Sequence, residues 1–249
     1  MSAGVLLLAL AGCGSQRAPD DAAGRDSTSP APQSSTASGW RGCSADDLTG
    51  LEPTIEVDLD GSRGSEPVYL VSAGSGLPCA GGLVVRHGEQ VSGTALGGTA
   101  MDAGTARVVR LEDTDRELLL LRQAPHPRGG FQIHLYGLGE DGLGEVTADG
   151  NPVVPFVATD GGAAPFTVEC APRGGIQTFT ATTHKPPGIV LAWDVYRTVY
   201  ALDGTTARKT SSELVKEAAA DPLLRRDRPE LFEPGGYFSD CIDRPGNAS

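Results

Sequence analysis

The sequence predicts a mainly β protein, with about a dozen short antiparallel strands and a short helical segment near the C-terminus. Two observations lead to this prediction. The 249-residue chain contains 34 Gly and 18 Pro, a content that favours many turns and disfavours a helical bundle. After position 40, most apolar residues alternate with polar ones or form short runs bounded by Gly, Pro, Asp and Asn, which is typical of strands.

The chain opens with an apolar stretch at 5–10, followed by small residues and Cys13. The stretch is too short to span a bilayer, and this order is typical of an export signal. The sequence LAGC at 10–13 resembles the lipobox of bacterial lipoproteins. The resemblance implies that residues 1–12 are a signal peptide and that Cys13 carries a diacylglyceryl group. It also implies that the protein is held at the extracytoplasmic face of the cell membrane.

Residues 14–39 contain no Leu, Ile, Val, Met, Phe, Tyr or Trp. Such a segment cannot bury enough apolar surface to offset the entropy of ordering it, so we predict a disordered tether. A flexible chain of this length has a mean reach of roughly 25–30 Å. With the lipidated Cys13 before it, the tether would let a domain over 40–249 stand clear of the membrane.

The charge balance excludes one class of partner and constrains another. The chain has 32 Asp and Glu against 20 Lys and Arg, a net charge of −12. An acidic protein lacks the cations that neutralise phosphates, so nucleic acid is not an expected partner. An anionic membrane surface would repel it, so we expect lipid to make the membrane attachment. The other expected partner is an envelope protein or a glycan.

Five cysteines divide into one for lipid, Cys13, and four for disulfides. Four cysteines in an exported domain indicate two disulfides, for which three connectivities exist. Shorter loops favour Cys43–Cys79 with Cys170–Cys241. The pairing of Cys43 with Cys241 and Cys79 with Cys170 would instead tie the domain ends together. The close CxxC or CxxH spacing of a cysteine-based zinc site is absent, and so is an activating neighbour for a catalytic thiol.

The part after residue 40 divides into three units of four strand-like segments, a plausible internal repeat of about 45–50 residues each. The segments lie at 54–61, 66–73, 81–88 and 89–96, at 105–113, 117–123, 129–138 and 143–150, and at 165–172, 175–183, 187–202 and 205–212. We expect each unit to be a four-stranded meander resembling a propeller blade. Three blades are too few for an ordinary closed propeller, so a sandwich or barrel stays open as the alternative.

Tight turns are predicted between the third and fourth segments of each unit. Asp141-Gly142 and Asp203-Gly204 lie between alternating segments, where Gly supplies the positive φ of a hairpin turn. His87-Gly88 occupies the equivalent place in the first unit.

The C-terminal part is predicted to turn helical from about residue 210. The sequence TSSE at 210–213 matches a capping box, in which the first hydroxyl and the last carboxylate satisfy N–H groups of the first turn. One apolar helix face would follow, formed by Leu214, Val215, Ala218 and Ala219. Pro222 cannot continue that helix, and 221–226 would begin a second short one.

The acidic loop 58–66, DLDGSRGSE, is the best candidate site. Asp58, Asp60 and Glu66 set carboxylates around a Gly turn, and Ca²⁺ is bound by six to eight oxygens from flexible loops. The loop resembles the D-x-D-G-x-G-x-x-E loop of FG-GAP and VCBS-type propeller repeats, which also precedes an apolar strand. That resemblance implies calcium at these three residues.

The loops at the equivalent place in the other units depart from this pattern. The loop at 112–117 is a contracted, still acidic version, and the loop at 171–175 has no carboxylate. Any calcium role would therefore be lost in the third unit. The alternative for the first loop is a solvated turn whose charges discourage edge pairing.

Two tyrosines are a second candidate site. On the predicted strand 193–200, Tyr196 and Tyr200 point to the same side as Asp194 and Thr198. They would form an exposed aromatic stripe able to bind a ligand such as a glycan. Packing against the neighbouring strand is the alternative.

The sequence contains neither HExxH nor GxSxG, and no catalytic residue is assigned. Four histidines are interpreted as structural or surface residues: His87, His126, His134 and His184. The composition, with Arg far outnumbering Lys, resembles that of lipoproteins from high-GC bacteria such as actinobacteria. The leading hypothesis is a lipid-anchored binding or scaffold protein of the cell envelope without catalytic activity. The alternative is an envelope hydrolase that acts on glycan or peptide through carboxylates not identified.

Overall fold

A computed structural model of the chain describes residues 42–97, 100–124, 130–155, 164–184, 191–233 and 236–241. All of them lie in one compact unit, Ala37–Ser249. The predicted signal peptide, Cys13 and the predicted tether lie outside the described residues, as does His126. Within the described ranges, no helix is long and apolar enough to cross a membrane.

Sheet 1 is an antiparallel meander that follows a 3-10 helix at Asp46–Leu48. Its strands are β1 (Ile55–Val57), β2 (Glu66–Leu70), β3 (Gly82–His87) and β4 (Gln90–Ala95). Alternate residues of β3 point to opposite sides of the sheet. Leu83 and Val85 enter one core cluster, whereas Val84 enters another, which contains the disulfide between Cys43 and Cys79.

Sheet 2 is a second antiparallel meander in sequence order. Its strands are β5 (Met101–Arg110), β6 (Glu117–Gln123), β7 (Ile133–Gly139) and β8 (Gly142–Glu145). The run of leucines in β6 is buried on both faces. Leu119 and Leu121 pack into the core shared with sheet 1, and Leu118 and Leu120 pack into the core shared with sheet 3. This two-sided burial explains why β6 reads as a continuous apolar run and not as an alternating one.

Sheet 3 has six strands in the order β10-β9-β14-β13-β12-β11. The strands are β9 (Thr147–Ala148), β10 (Asn151–Pro152), β11 (Phe166–Ala171), β12 (Gly175–Thr183), β13 (Ala192–Asp203) and β14 (Thr206–Ala220). The last four form an antiparallel meander, and β9 joins β14 in parallel through the pair Thr206–Thr147.

The predicted fold class is confirmed, because three four-stranded antiparallel meanders form in chain order. The turns predicted between third and fourth strands are confirmed too. Two-residue turns are closed by the pairs His87–Gln90, Gly139–Gly142 and Asp203–Thr206.

Consecutive sheets meet through the loops between their first and second strands. At the junction of sheets 1 and 2, the Asp58 amide donates to Glu117 Oε2 at 2.9 Å and the Glu117 amide donates to the Asp58 carbonyl at 2.8 Å. At the junction of sheets 2 and 3, the Gly174 amide donates to the Glu112 carbonyl at 2.6 Å. In each meander, therefore, the region between the first and second strands makes the contact with the neighbouring meander.

The hairpins between third and fourth strands make a second set of contacts at the same junctions. The Leu143 amide of sheet 2 donates to Ser92 Oγ of sheet 1 at 2.8 Å. The turn of the β13–β14 hairpin touches the β7–β8 hairpin so closely that a Cβ on Gly204 would lie 2.8 Å from Gly139 Cα. Both junctions thus join loop to loop and hairpin to hairpin.

The predicted helix beginning at Thr210 is wrong, because these residues belong to β14. The Thr210 hydroxyl donates to the Val199 carbonyl across the strand pair at 3.1 Å, so it caps no helix. Glu213 forms an ion pair with Arg197 of β13 at 2.7 Å. The hairpin turn at Gly204 places β13 alongside this segment. Pairing with this long strand overrides the local helical pattern.

The second predicted helix is confirmed as α1, Asp221–Asp227, with Pro222 in its first turn. Leu224 of α1 is buried against Phe179, Val195 and Ala219 of sheet 3. A 3-10 helix at Pro229–Leu231 follows. The helix therefore covers one face of the β13–β14 hairpin.

The favoured disulfide pairing, Cys43–Cys79 and Cys170–Cys241, is confirmed. The second bond fastens the chain near its C-terminus to β11. Beside it, Phe238 is fully buried in the core between sheets 2 and 3, and its amide donates to the Val168 carbonyl at 2.8 Å.

Candidate functional site

Asp58 holds the acidic loop together from within. Its Oδ1 accepts from the Gly61 amide and its Oδ2 accepts from the Arg63 amide, each at 2.8 Å. Arg63 has a φ of +67°, so the loop closes in a conformation that these two bonds help to fix. Both Asp58 oxygens are committed to the backbone. It is therefore not among the groups that converge on a common point.

Asp60 and Glu66, the other two residues of the calcium prediction, each keep one oxygen free of the backbone. Asp60 Oδ1 accepts from the Ser62 amide at 2.7 Å, and Glu66 Oε2 accepts from the Leu59 amide at 2.9 Å. Their remaining oxygens, Asp60 Oδ2 and Glu66 Oε1, point to the same neighbour. That neighbour is a histidine.

His87 completes the group that the structure brings together. Its Nδ1 lies 3.4 Å from Asp60 Oδ2 and 3.3 Å from Glu66 Oε1. Glu66 begins β2 and His87 ends β3, and the register of these antiparallel strands sets the two residues side by side. One nitrogen or oxygen atom from each of the three side chains lies within 4.8 Å of the other two.

The two carboxyl groups of this cluster differ electrostatically. Burial raises the pKa of Glu66, and the negative charges of Asp60 and Asp58 raise it further. Partial burial acts to raise the pKa of Asp60 as well, but the hydrogen bonds from Ser62 hold it below its ordinary value. The cluster therefore pairs a buried carboxyl group whose pKa is raised with a second one whose pKa is lowered. Such a set can exchange a proton or hold a cation.

Asp60 also lines an acidic cavity of about 520 Å³. Glu140 and Asp141 contribute from the turn of the β7–β8 hairpin, and Asp203 contributes from the end of β13. Arg116 supplies the one basic side chain of the lining. A concave surface with four carboxylates raises the local concentration of cations.

Two other histidines make simple pairs with single carboxylates. His134 Nδ1 lies 2.7 Å from Glu145 Oε1, between neighbouring strands of sheet 2. His184 Nδ1 lies 2.9 Å from Asp194 Oδ1, and Asp194 Oδ1 also accepts from the Ala218 amide. These contacts fit the structural role predicted for both histidines.

The structure separates the two tyrosines of the predicted aromatic stripe. Tyr196 is exposed, whereas Tyr200 packs against the core between sheets 2 and 3. The cross-strand partner of Tyr196 is Leu214, which is 44% exposed. We call Tyr196 and Leu214 the hairpin patch, next to which Val215 is also exposed, in the bulge of β14.

Sequence reasoning missed His87 and Leu214 because both depend on strand register. His87 marks a turn in the sequence, and only its pairing with β2 places it beside Glu66. The sequence pattern predicts that Leu214 lies on a helix face. Only the β13–β14 pairing places it beside Tyr196.

No protein-family model, curated protein or solved structure matches the chain. The interpretation of both sites therefore rests on their own residues: the cluster of Asp60, Glu66 and His87, and the hairpin patch of Tyr196 and Leu214.

Proposed function

We propose that this protein is a lipid-anchored binding or scaffold protein of the cell envelope, facing the extracytoplasmic side and without catalytic activity. Cys13 in its lipobox-like sequence would carry the lipid, and the acidic, disulfide-bonded β domain would meet the partner. The observation that carries the binding role is the hairpin patch, an aromatic and an aliphatic side chain exposed as a cross-strand pair.

The hairpin patch has the properties of a preorganised contact surface. The opposite face of the same hairpin is rigidly packed, because Val195 and Ala219 are buried against Leu224 of α1. Tyrosine supplies a large contact area with few rotatable bonds, so little side-chain entropy is lost when a partner binds. Neighbouring exposed apolar side chains on such a support can serve as a recognition surface.

The backbone beside the hairpin patch offers further contacts. In the described part of the chain, only Thr206 of β14 pairs with β9, so the following residues of β14 have a partner strand on one side alone. An extended segment of an envelope protein can add to such an edge through main-chain hydrogen bonds. Arg208 and Lys209 near the start of this edge would favour an acidic segment.

The anchor is tested by the Cys13→Ala variant, produced in a bacterial host that processes lipoproteins. The thiol is the group of that residue that would take the diacylglyceryl group. We therefore expect complete loss of palmitate incorporation and release of the domain from the membrane fraction. Globomycin should block processing of the wild-type chain only.

The matched control is the double variant Cys43→Ala/Cys79→Ala, whose cysteines form a disulfide in the fold. It should incorporate palmitate like the wild type. Retained label and membrane association in the Cys13→Ala chain would rule out this anchor.

The hairpin patch is tested by the double variant Tyr196→Ser/Leu214→Thr. Buried aromatic anchors of an interface typically contribute at least 1–2 kcal/mol each, so we expect binding about tenfold weaker or worse. Both side chains are exposed, so the free energy of unfolding should change by less than about 0.5 kcal/mol per site. The measurement is photo-crosslinking in intact cells from a probe at Ser212, which faces Thr198 beside the patch.

Leu223→Thr is the control, because Leu223 is also exposed, at 50%, but lies on α1. It should leave the crosslinked species unchanged. Equal loss in both variants would contradict a role of the hairpin patch. Hydrolysis of envelope glycan or peptide by the purified protein would contradict the non-catalytic part of the proposal.

A further inference from the structure

We propose that Asp60, Glu66 and His87 form a binding site for a divalent transition metal of the zinc class. One imidazole nitrogen and two carboxylate oxygens would be the protein ligands. This site is separate from the lipid anchor and from the hairpin patch, and it differs from the all-oxygen calcium site that the acidic loop suggested.

Two distances within the cluster match those between the ligands of a shared metal. In tetrahedral coordination with bonds of about 2.0–2.2 Å, neighbouring ligand atoms lie about 3.4 Å apart. His87 Nδ1 stands 3.4 Å and 3.3 Å from the two carboxylate oxygens. A good N–H···O bond is shorter, at about 2.9 Å, and a single Nδ1 has at most one proton to donate.

The other histidines of the fold provide the comparison. His134 and His184 lie 2.7 Å and 2.9 Å from their carboxylate partners, which is ordinary hydrogen-bond distance. Only His87, among the described histidines, is placed at longer and nearly equal distances from two different carboxylates.

Hydrogen bonds from backbone amides hold the two carboxylates in place. The Ser62 amide fixes one oxygen of Asp60, and the Leu59 amide fixes one oxygen of Glu66, which leaves the other oxygen of each directed at His87. Contacts of this kind orient metal ligands in known sites and raise their affinity. The Glu66 side chain is only 6% exposed, so it has little room to turn away.

Charge also favours a dication at this point. Two carboxylates would neutralise a bound ion of charge +2 without further groups. Glu140, Asp141 and Asp203 add negative charge along the cavity that reaches Asp60, against the single cation Arg116. Such a lining steers cations towards the cluster.

The ligand set selects the class of metal. Ca²⁺ takes six to eight oxygens and Mg²⁺ prefers oxygen ligands, so an imidazole nitrogen with only two carboxylates suits neither. Imidazole suits Zn²⁺ and its neighbours in the transition series. Three protein ligands leave at least one coordination position for water.

The test is a calorimetric titration of the untagged, EDTA-treated full chain with Zn²⁺. We expect one saturable site that excess Ca²⁺ does not displace. His87→Gln should weaken Zn²⁺ binding at least tenfold, because loss of even an outer-shell partner costs about 10–100-fold. His184→Gln is the matched control: it removes another histidine from a histidine–aspartate pair and should bind Zn²⁺ like the wild type.

A second variant distinguishes the loss of a metal ligand from misfolding. Asp60→Asn keeps the oxygen that accepts from Ser62 and removes the charge, and it should also weaken Zn²⁺ binding at least tenfold while the melting temperature without metal is retained. The proposal is overturned if the wild type shows no saturable Zn²⁺ binding, or if His87→Gln binds Zn²⁺ as tightly as the wild type. Ca²⁺ binding that survives His87→Gln would assign the loop to an oxygen-only site instead.

Discussion

The Gly204→Ala variant is expected to lose about 2–5 kcal/mol of stability against unfolding. Two costs add up. Gly204 has a φ of +57°, a conformation that costs an L-residue about 1–2 kcal/mol. The added Cβ would also lie 2.8 Å from Gly139 Cα, where the hairpins of sheets 2 and 3 touch, and overpacking of this kind costs about 1–3 kcal/mol.

Gly88→Ala separates the two costs. Gly88 occupies the same place in the β3–β4 hairpin with a φ of +59°, but a Cβ there would meet nothing within 4 Å. We therefore expect a loss of only about 1–2 kcal/mol. Urea unfolding followed by circular dichroism gives both values. Equal losses in the two variants would mean that the contact between the hairpins contributes nothing to stability.

Removing the Cys170–Cys241 disulfide, by the double variant Cys170→Ala/Cys241→Ala, is expected to cost about 4 kcal/mol. The bond closes a loop with a sequence separation of 71, and the chain-entropy model gives about 3 kcal/mol for 15 residues and about 4.7 kcal/mol for 100. The bond also keeps Tyr237 and Phe238 buried between sheets 2 and 3. Without it, this segment should open at a lower free energy than the sheets.

The measurement is urea unfolding of the oxidised variants together with limited proteolysis near the C-terminus. Cys43→Ala/Cys79→Ala is the control, because its loop has a separation of only 36 and its disulfide lies in a different core cluster. This control should lower the free energy of unfolding by a smaller amount and leave the C-terminal segment resistant to protease. Protection of that segment in both variants would contradict the role given to the Cys170–Cys241 bond.

The meanders could be predicted from the sequence because their signals are local. Alternation identifies the strands, and a Gly at each hairpin turn, such as Gly88 or Gly204, separates one strand from the next. The length and boundaries of the leucine run in β6 predict a strand. Its burial on both faces depends on the packing of sheets 1 and 3 against it, which no local pattern in the sequence indicates.

The helix prediction at Thr210 failed, and the place of His87 was missed, for one physical reason: pairing partners distant in the chain decide the outcome. Thr210 and Glu213 match a helix start locally, but β13 offers the whole segment a ladder of hydrogen bonds, and the segment extends. His87 joins Asp60 and Glu66 only through the β2–β3 register. Asp58 differs from these residues, because its bonds to Gly61 and Arg63 are local. The sequence around Asp58 therefore contains the signal for them.

The meander order has a consequence for how the chain reaches its native state. Apart from the parallel β9–β14 contact, every strand pair in the described sheets joins neighbours in sequence. Such pairs close short loops, which lose little entropy, so each sheet can form quickly and on its own. The junctions join residues about sixty positions apart, such as Asp58 with Glu117, and must form later. Folding thus divides into fast local steps and a slower docking step, in which the cores on either side of β6 close.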